Sequence, residues 1–257
     1  MFEGGGRRLT DAIILAGGNV NQEFQKKYGV SNRSLLVIHD KFMIEYVIEA
    51  LKEVSSIKRI VVAGPVKELK SRIGKFVEEV VPSGSDPFES TLQGLEYLNP
   101  EKKVLVISSD IPLIKGEMID DFFLRCSKQP ADFYYPIVRK EVYQKKFGQS
   151  KRTFGNLTEG SFGGGNMLLI DPTIVQKKEF ISQIIKNRKS PITIARILGL
   201  SIIIKYIFKK LSIKDIEERA SKILGMKGLA IITPYPEIKF DVDSPEHVEI
   251  AKKFLKK

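Results

Sequence analysis

Short apolar runs alternate with amphipathic stretches through the first half of this 257-residue chain, and that alternation constrains its fold more than any other feature. AIILA at 12–16 and IKRIVVAG at 57–64 read as strands, and KVLVISS at 103–109 is a continuous apolar run of the kind buried on both faces of a sheet. Between them, FMIEYVIEALKEV at 42–54 sets Met43, Val47, Ala50, Leu51 and Val54 at helical spacing. A polar loop from Asn19 to Arg33 and a short apolar run, Leu35 to Ile38, separate the first strand from that helix. A second helix is expected over 66–76, a short strand over 78–84, and a third helix from Asp86-Pro87 through FESTLQGLEYL, with proline acceptable in its first turn. Strand–helix–strand units with short connections imply an α/β fold. The expectation is a three-layer sandwich whose central sheet is mostly parallel and covered by helices on both faces.

The second half is less regular. Ala131–Val138 and Gly165–Ile170 read as strands flanking a polar, basic loop at 139–160, and 173–225 reads as several helices. A strand, GLAIITP, and a C-terminal helix opening after DVDSP complete the chain; Ser244, Pro245 and Glu246 supply an N-cap, a first-turn proline and an acid near the positive helix end. No repeat, low-complexity tract or Pro/Ser-rich linker divides the sequence. It reads as one domain over 1–257 with a helical insertion at about 173–225.

Composition removes several classes. Cys126 is the only cysteine and His39 and His247 the only histidines, which excludes an internal disulfide, a multi-cysteine cluster and a histidine-based metal site. A reducing, cytoplasmic setting is the expectation. No apolar stretch reaches the roughly 20 residues a membrane helix needs. The nearest, 197–208, is interrupted by Lys205 and reads as a buried or partner-facing helix, with a weak membrane-surface contact as the lesser alternative. The net charge of +11 favours anionic ligands. Neither the G-x-x-x-x-G-K-[ST] loop nor the G-x-G-x-x-G spacing occurs, and no G-x-S-x-G elbow is present.

The candidate chemistry gathers at strand ends, where ligands sit in parallel sheets. The first strand stops in Gly17-Gly18, a turn whose backbone can approach phosphate closely. Asp110 follows the buried 103–109 strand and precedes Pro112. Asp241 and Asp243 form a D-x-D pair whose side chains share one side of an extended segment. Carboxylates of this kind, with phosphate oxygens, are the usual protein contribution to a Mg²⁺ site, and Asp110 with Asp243 is the favoured pair over Asp241. Gly164, Gly165 and Asn166, inside SFGGGNMLLID, permit close approach to a flat ligand or simply form a glycine-rich bulge. Lys145, Lys146, Lys151 and Arg152 make the preceding loop basic.

These segments resemble the nucleotidylyltransferases of glycosyltransferase-A-type fold, most closely the group that includes the molybdenum-cofactor nucleotidylyltransferases. The resemblance runs through LAGG at 15–18, LLVIHDKFMIEYVIEAL at 35–51, SSDIPLI at 108–114, GGN at 164–166 and DVDSPEHVEIAKKF at 241–254. It implies that Leu15, Ala16, Gly17 and Gly18 wrap the nucleotide, that Ser90 touches the base, that Gly164, Gly165 and Asn166 belong to the nucleotide site, and that Asp110 and Asp243 bind Mg²⁺. The implied substrates are an NTP and a small anionic acceptor, phosphorylated or a cofactor precursor, with pyrophosphate leaving; nucleic acid is not an expected partner, and the chain is expected as a monomer or homodimer. The sequence departs from the family at one point: no Arg-x-Gly closely follows LAGG, and Arg33 stands where a lysine is expected. Arginine keeps the charge but grips phosphate through a planar fork. Two alternatives stay open: a glycosyltransferase of the same fold using Asp241 and Asp243, and a nucleotide-binding regulatory protein without turnover.

Overall fold

A computed structural model describes residues 10–18, 20, 22–149, 152–179, 181 and 199–256. The chain divides into two compact units, 1–121 with 241–257, and 122–240. The α/β class expected from the sequence is the one it adopts.

In the first unit, β1 (Thr10–Leu15) leads through α1 (Gln22–Tyr28) to a small antiparallel hairpin, β2 (Val37–Ile38) with β3 (Lys41–Phe42). The chain continues through α2 (Met43–Glu53), β4 (Ile57–Gly64), α3 (Val66–Ile73), β5 (Glu79–Pro82), α4 (Pro87–Leu98), β6 (Val104–Ser108) and into α5 (Gly116–Cys126). The four longer strands lie in the order β5-β4-β1-β6, every pair parallel. Ile13, Ile14, Val61, Val62, Val104 and Leu105 are wholly buried, as runs covered on both faces must be. Leu15 at the end of β1 stands opposite Ser108 at the end of β6, so LAGG and SSD emerge side by side.

α4 packs on β1 through Gly94, where an added Cβ would stand 2.8–2.9 Å from three carbons of Ile13. Helix propensity favours Gly94→Ala by about 1 kcal/mol, whereas overpacking against a buried Ile costs about 1–3 kcal/mol. Gly94→Ala is therefore expected to lower stability by up to about 2 kcal/mol, readable in urea unfolding; an unchanged midpoint would show that Ile13 has room to yield.

In the second unit, β7 (Phe133–Arg139) is followed by α6 (Lys140–Phe147), then the hairpin β8 (Gly155–Leu157) and β9 (Gly160–Gly164), then β10 (Met167–Ile170). β9 and β10 both run antiparallel to β7, one after the other along it. A 3-10 stretch, Pro172–Lys177, and two helices, α7 (Leu200–Ile207) and α8 (Ile213–Leu224), precede β11 (Gly228–Thr233), which pairs parallel with β7. The last helix, α9 (Pro245–Phe254), belongs to the first unit. Much of the expected 173–225 insertion, residues 182–198, lies outside the described residues, as does Lys151 in the basic loop. The expected strand 165–170 starts later, at Met167.

Two stretches expected as loops carry regular structure. Within 19–33, residues 22–28 form α1, anchored by the buried Phe24. Within 139–160 lie α6, seated on Tyr143 and Phe147, and the β8–β9 hairpin. No described helix is long and apolar enough to cross a membrane. The sole cysteine, Cys126, is buried, which pushes its thiol up to about 12 and leaves it unreactive at neutral pH.

Candidate active site

The site grows from the carboxyl ends of β1 and β6. Asn32 caps a 3-10 turn, Arg33–Leu35, by accepting from the Ser34 amide at 2.8 Å. Its Nδ2 donates to the Ala16 carbonyl oxygen at 2.6 Å, so the turn is tied to the start of the glycine pair. The buried Ser34 and Ser109 hydroxyls meet at 2.9 Å, and the Ser109 amide donates to the Leu15 carbonyl at 3.1 Å. Three buried polar side chains, Asn32, Ser34 and Ser109, thereby hold together the ends of β1 and β6 and the turn carrying Arg33.

Arg33 projects from that turn onto Asp110, with Nη1 2.7 Å from Oδ2. Ser108 donates its hydroxyl to the other oxygen, Oδ1, at 2.5 Å. Burial pushes the Asp110 carboxyl above its ordinary value despite both bonds, and the negative charge of Asp241 adds to the push. The D-x-D segment reaches this place through the backbone: the Val242 amide donates to the Asp110 carbonyl oxygen at 2.8 Å. Val242 is wholly buried, so Asp241 and Asp243 flank a fixed point. Asp243 is bonded by His247, Nδ1 to Oδ1 at 2.6 Å. Asp241 is near enough for its charge to act on Asp110.

The glycine pair divides its labour. A Cβ on Gly17 would stand 2.8 Å from Ser83 Cβ, so absence of a side chain lets the β1 turn meet the loop before α4. A Cβ on Gly18 would meet nothing within 4 Å, which leaves that backbone open to a ligand. Asp86 caps α4 by accepting from the Phe88 and Glu89 amides at 2.8 and 2.9 Å. Ser90, buried beside Gly17, donates to the Asp86 carbonyl at 2.9 Å and accepts from the Gly84 amide at 3.1 Å, so its hydroxyl shapes the loop.

Leu15, Ala16, Gly17, Gly18, Arg33, Ser90, Asp110 and Asp243 thus all belong to the first unit; Gly164, Gly165 and Asn166 belong to the second. There the glycines serve close packing. A Cβ on Gly164 would fall 2.2 Å from the Tyr135 hydroxyl, and one on Gly165 2.6 Å from Ile238 Cγ2. The Gly165 amide donates to Pro136 and the Asn166 amide to Ile238, both at 2.8 Å, so 165–166 make the irregularity between β9 and β10. Among the described residues no group of three or more His, Cys, Asp or Glu is placed to hold a metal ion. The carboxylates here, Asp110 with Asp241 near enough for one charge to disfavour the other, offer only oxygen, a chemistry that fits a hard dication completing its shell with phosphate.

Residues 12–181 match the model of the MobA-like NTP transferase domain. The chain belongs to that family. A transferase structure from Thermus thermophilus, described as hypothetical, is 33% identical, with 93% of this chain and 99% of that one covered and a TM-score of 0.82. The 4-diphosphocytidyl-2C-methyl-D-erythritol synthase of Anaerococcus prevotii shares the fold at 14% identity and a TM-score of 0.59, over 98% of this chain and 100% of that one. The bifunctional protein GlmU of Thermodesulfovibrio yellowstonii is 30% identical over 135 residues, 49% of this chain. That match spans only 28% of the relative's length. The chain is an NTP transferase domain protein by family, and the sequence resemblance to nucleotidylyltransferases holds.

Proposed function

We propose that this protein is a Mg²⁺-dependent nucleotidylyltransferase that moves an NMP group from an NTP to a small phosphorylated or cofactor-precursor acceptor, releasing pyrophosphate. One observation carries the reading. At the ends of adjacent parallel strands, an open glycine turn, an arginine and a buried carboxylate with the D-x-D segment beside it meet within one compact unit. The family match also runs across the residue where the first unit passes to the second, which supports treating 1–257 as one nucleotidyltransferase domain. A cytoplasmic setting goes with the proposal, supported by the single buried cysteine. A weak membrane-surface contact through 197–208 is supported by the exposed Leu200, Ile207 and Phe208.

The residues divide the work by chemistry. Amides of the Gly17-Gly18 turn donate to phosphate oxygens, which have no proton to offer in return. Arg33 supplies a fixed cation, and its planar fork orients the oxygens it grips. Asp110 and Asp243 would hold Mg²⁺, with Asp241 adding negative potential; the bound ion would neutralise charge on the phosphates. An oxygen of the acceptor forms a bond to the α-phosphorus while the bond from that phosphorus to the α–β bridging oxygen breaks. The electron pair leaves on pyrophosphate, and positioning supplies most of the rate.

Pyrophosphate release in the presence of each NTP, Mg²⁺ and a pool of cell metabolites tests the reading. Release with one NTP is expected. Consumption of a sugar nucleotide with release of a nucleoside diphosphate would replace it with the glycosyltransferase, and saturable NTP binding without turnover with the regulatory protein.

A further inference from the structure

We infer that His247 is a positioning residue for the cation site, holding the Asp243 carboxylate in the orientation it presents to the ion. The inference rests on Asp243 being a ligand, as proposed above, and adds a residue which that proposal did not contain. Asp243 lies just before the N-cap of α9, outside the helix, and its side chain is 42% exposed. An exposed aspartate there samples several rotamers unless something holds it. His247 is placed to do so. It stands in the first turn of α9, its amide donates to the Ser244 hydroxyl at 3.3 Å, and the residue is only 8% exposed. Its Nδ1 meets Asp243 Oδ1 at 2.6 Å. An ionised carboxylate only accepts, so Nδ1 is the donor in this bond.

The anchoring is complete along the segment. On one side of Asp243, the Val242 amide is bonded to the Asp110 carbonyl and its side chain is buried. On the other, Ser244 caps the helix. Backbone position is fixed from both directions, and the bond from His247 restrains the side chain. A partner that orients a ligating carboxylate sets the geometry the ion meets, and its loss typically weakens metal binding by about 10–100-fold. Helix capping alone would not need the ring, because the Ser244 hydroxyl and the His247 amide already form the cap.

Mn²⁺ titration of the full chain, followed by the electron paramagnetic resonance signal of unbound Mn²⁺, tests this without turnover. Four proteins are compared: parent, His247→Phe, His247→Asn and Asp243→Asn, each with its melting temperature. His247→Phe is expected to weaken Mn²⁺ binding about tenfold or more. His247→Asn, whose Nδ2 occupies nearly the position of Nδ1, is expected to restore most of it. Parent-like binding by His247→Phe, beside weakened binding by Asp243→Asn, would overturn the role of His247 and leave Asp243 a ligand. Unchanged binding by Asp243→Asn, or no binding by the parent, would overturn the ligand assignment and this inference with it. Equal loss in both His247 variants with a matching drop in melting temperature would make His247 a structural residue only.

Discussion

Asp110→Asn is expected to abolish Mg²⁺-dependent turnover, by about 10³-fold or more, while making the fold more stable at neutral pH. The two effects share one cause. Burial and the charge of Asp241 raise the Asp110 carboxyl above its ordinary 3.8 in the native chain, against the pull of Ser108 and Arg33. A group raised in the folded state binds protons more tightly there than in the unfolded chain. The unfolding free energy therefore falls as pH climbs from the ordinary aspartate value through the raised one, and above that window the whole penalty is in force. Asparagine is nearly isosteric and stays neutral. Its carbonyl can still accept from the Ser108 hydroxyl, and Arg33, partly exposed, can turn to solvent. Urea unfolding of both proteins in EDTA, at pH 7 and near pH 4, measures the difference. The variant's advantage should be larger at pH 7. A variant less stable than the parent at pH 7 would mean that its bonds outweigh its burial, and unchanged pyrophosphate release would remove Asp110 from the site.

What made the site legible in sequence was its backbone. β1, β4 and β6 each carry an apolar run, 12–15, 60–63 and 104–107, that is covered on both faces, and parallel neighbours end on the same side. LAGG and SSD had to emerge together once those strands were recognised. The missed elements had thin signals. α6 buries only Tyr143 and Phe147, an i,i+4 pair in a run otherwise mostly charged or polar, and that pair was its readable trace. α1 is anchored by Phe24 in a run of good helix formers, so propensity marked it where periodicity could not. The support beneath Arg33 was hidden for another reason. Ser34 meets Ser109 across 75 positions and Asn32 meets Ala16 across 16, and no local pattern announces such a bond. His247 was readable four residues after Asp243, on the same face of a helix start, but an isolated histidine points to no chemistry without its partner's role. The GGN segment carried both meanings at once, and the packing of Tyr135 and Ile238 accounts for Gly164 and Gly165 by steric fit.

Arg33→Ala should lower kcat/KM by about 10²–10³-fold, and its pH profile should distinguish two ways of losing a cation. Arg33 has two relationships in the proposed reaction. It lies 2.7 Å from Asp110 and helps to hold that carboxyl down, and in the proposed reaction its fork would grip phosphate. Removing it raises Asp110 further, so the carboxylate needed for Mg²⁺ forms only at higher pH. The acid limb of kcat/KM should accordingly move upward in pH in Arg33→Ala. Arg33→Lys keeps the charge beside Asp110 but loses two-point contact, so its limb should stay near the parent's while kcat/KM falls about tenfold. The pair of variants thereby separates charge from geometry. If Arg33→Ala kept the parent's acid limb and lost only affinity for the NTP, the bond to Asp110 would be a resting contact with no part in tuning the carboxylate. If both variants kept parental kcat/KM, the positive charge that balances the triphosphate would have to come from elsewhere, with Lys26 and Lys27 on α1 the first residues to examine.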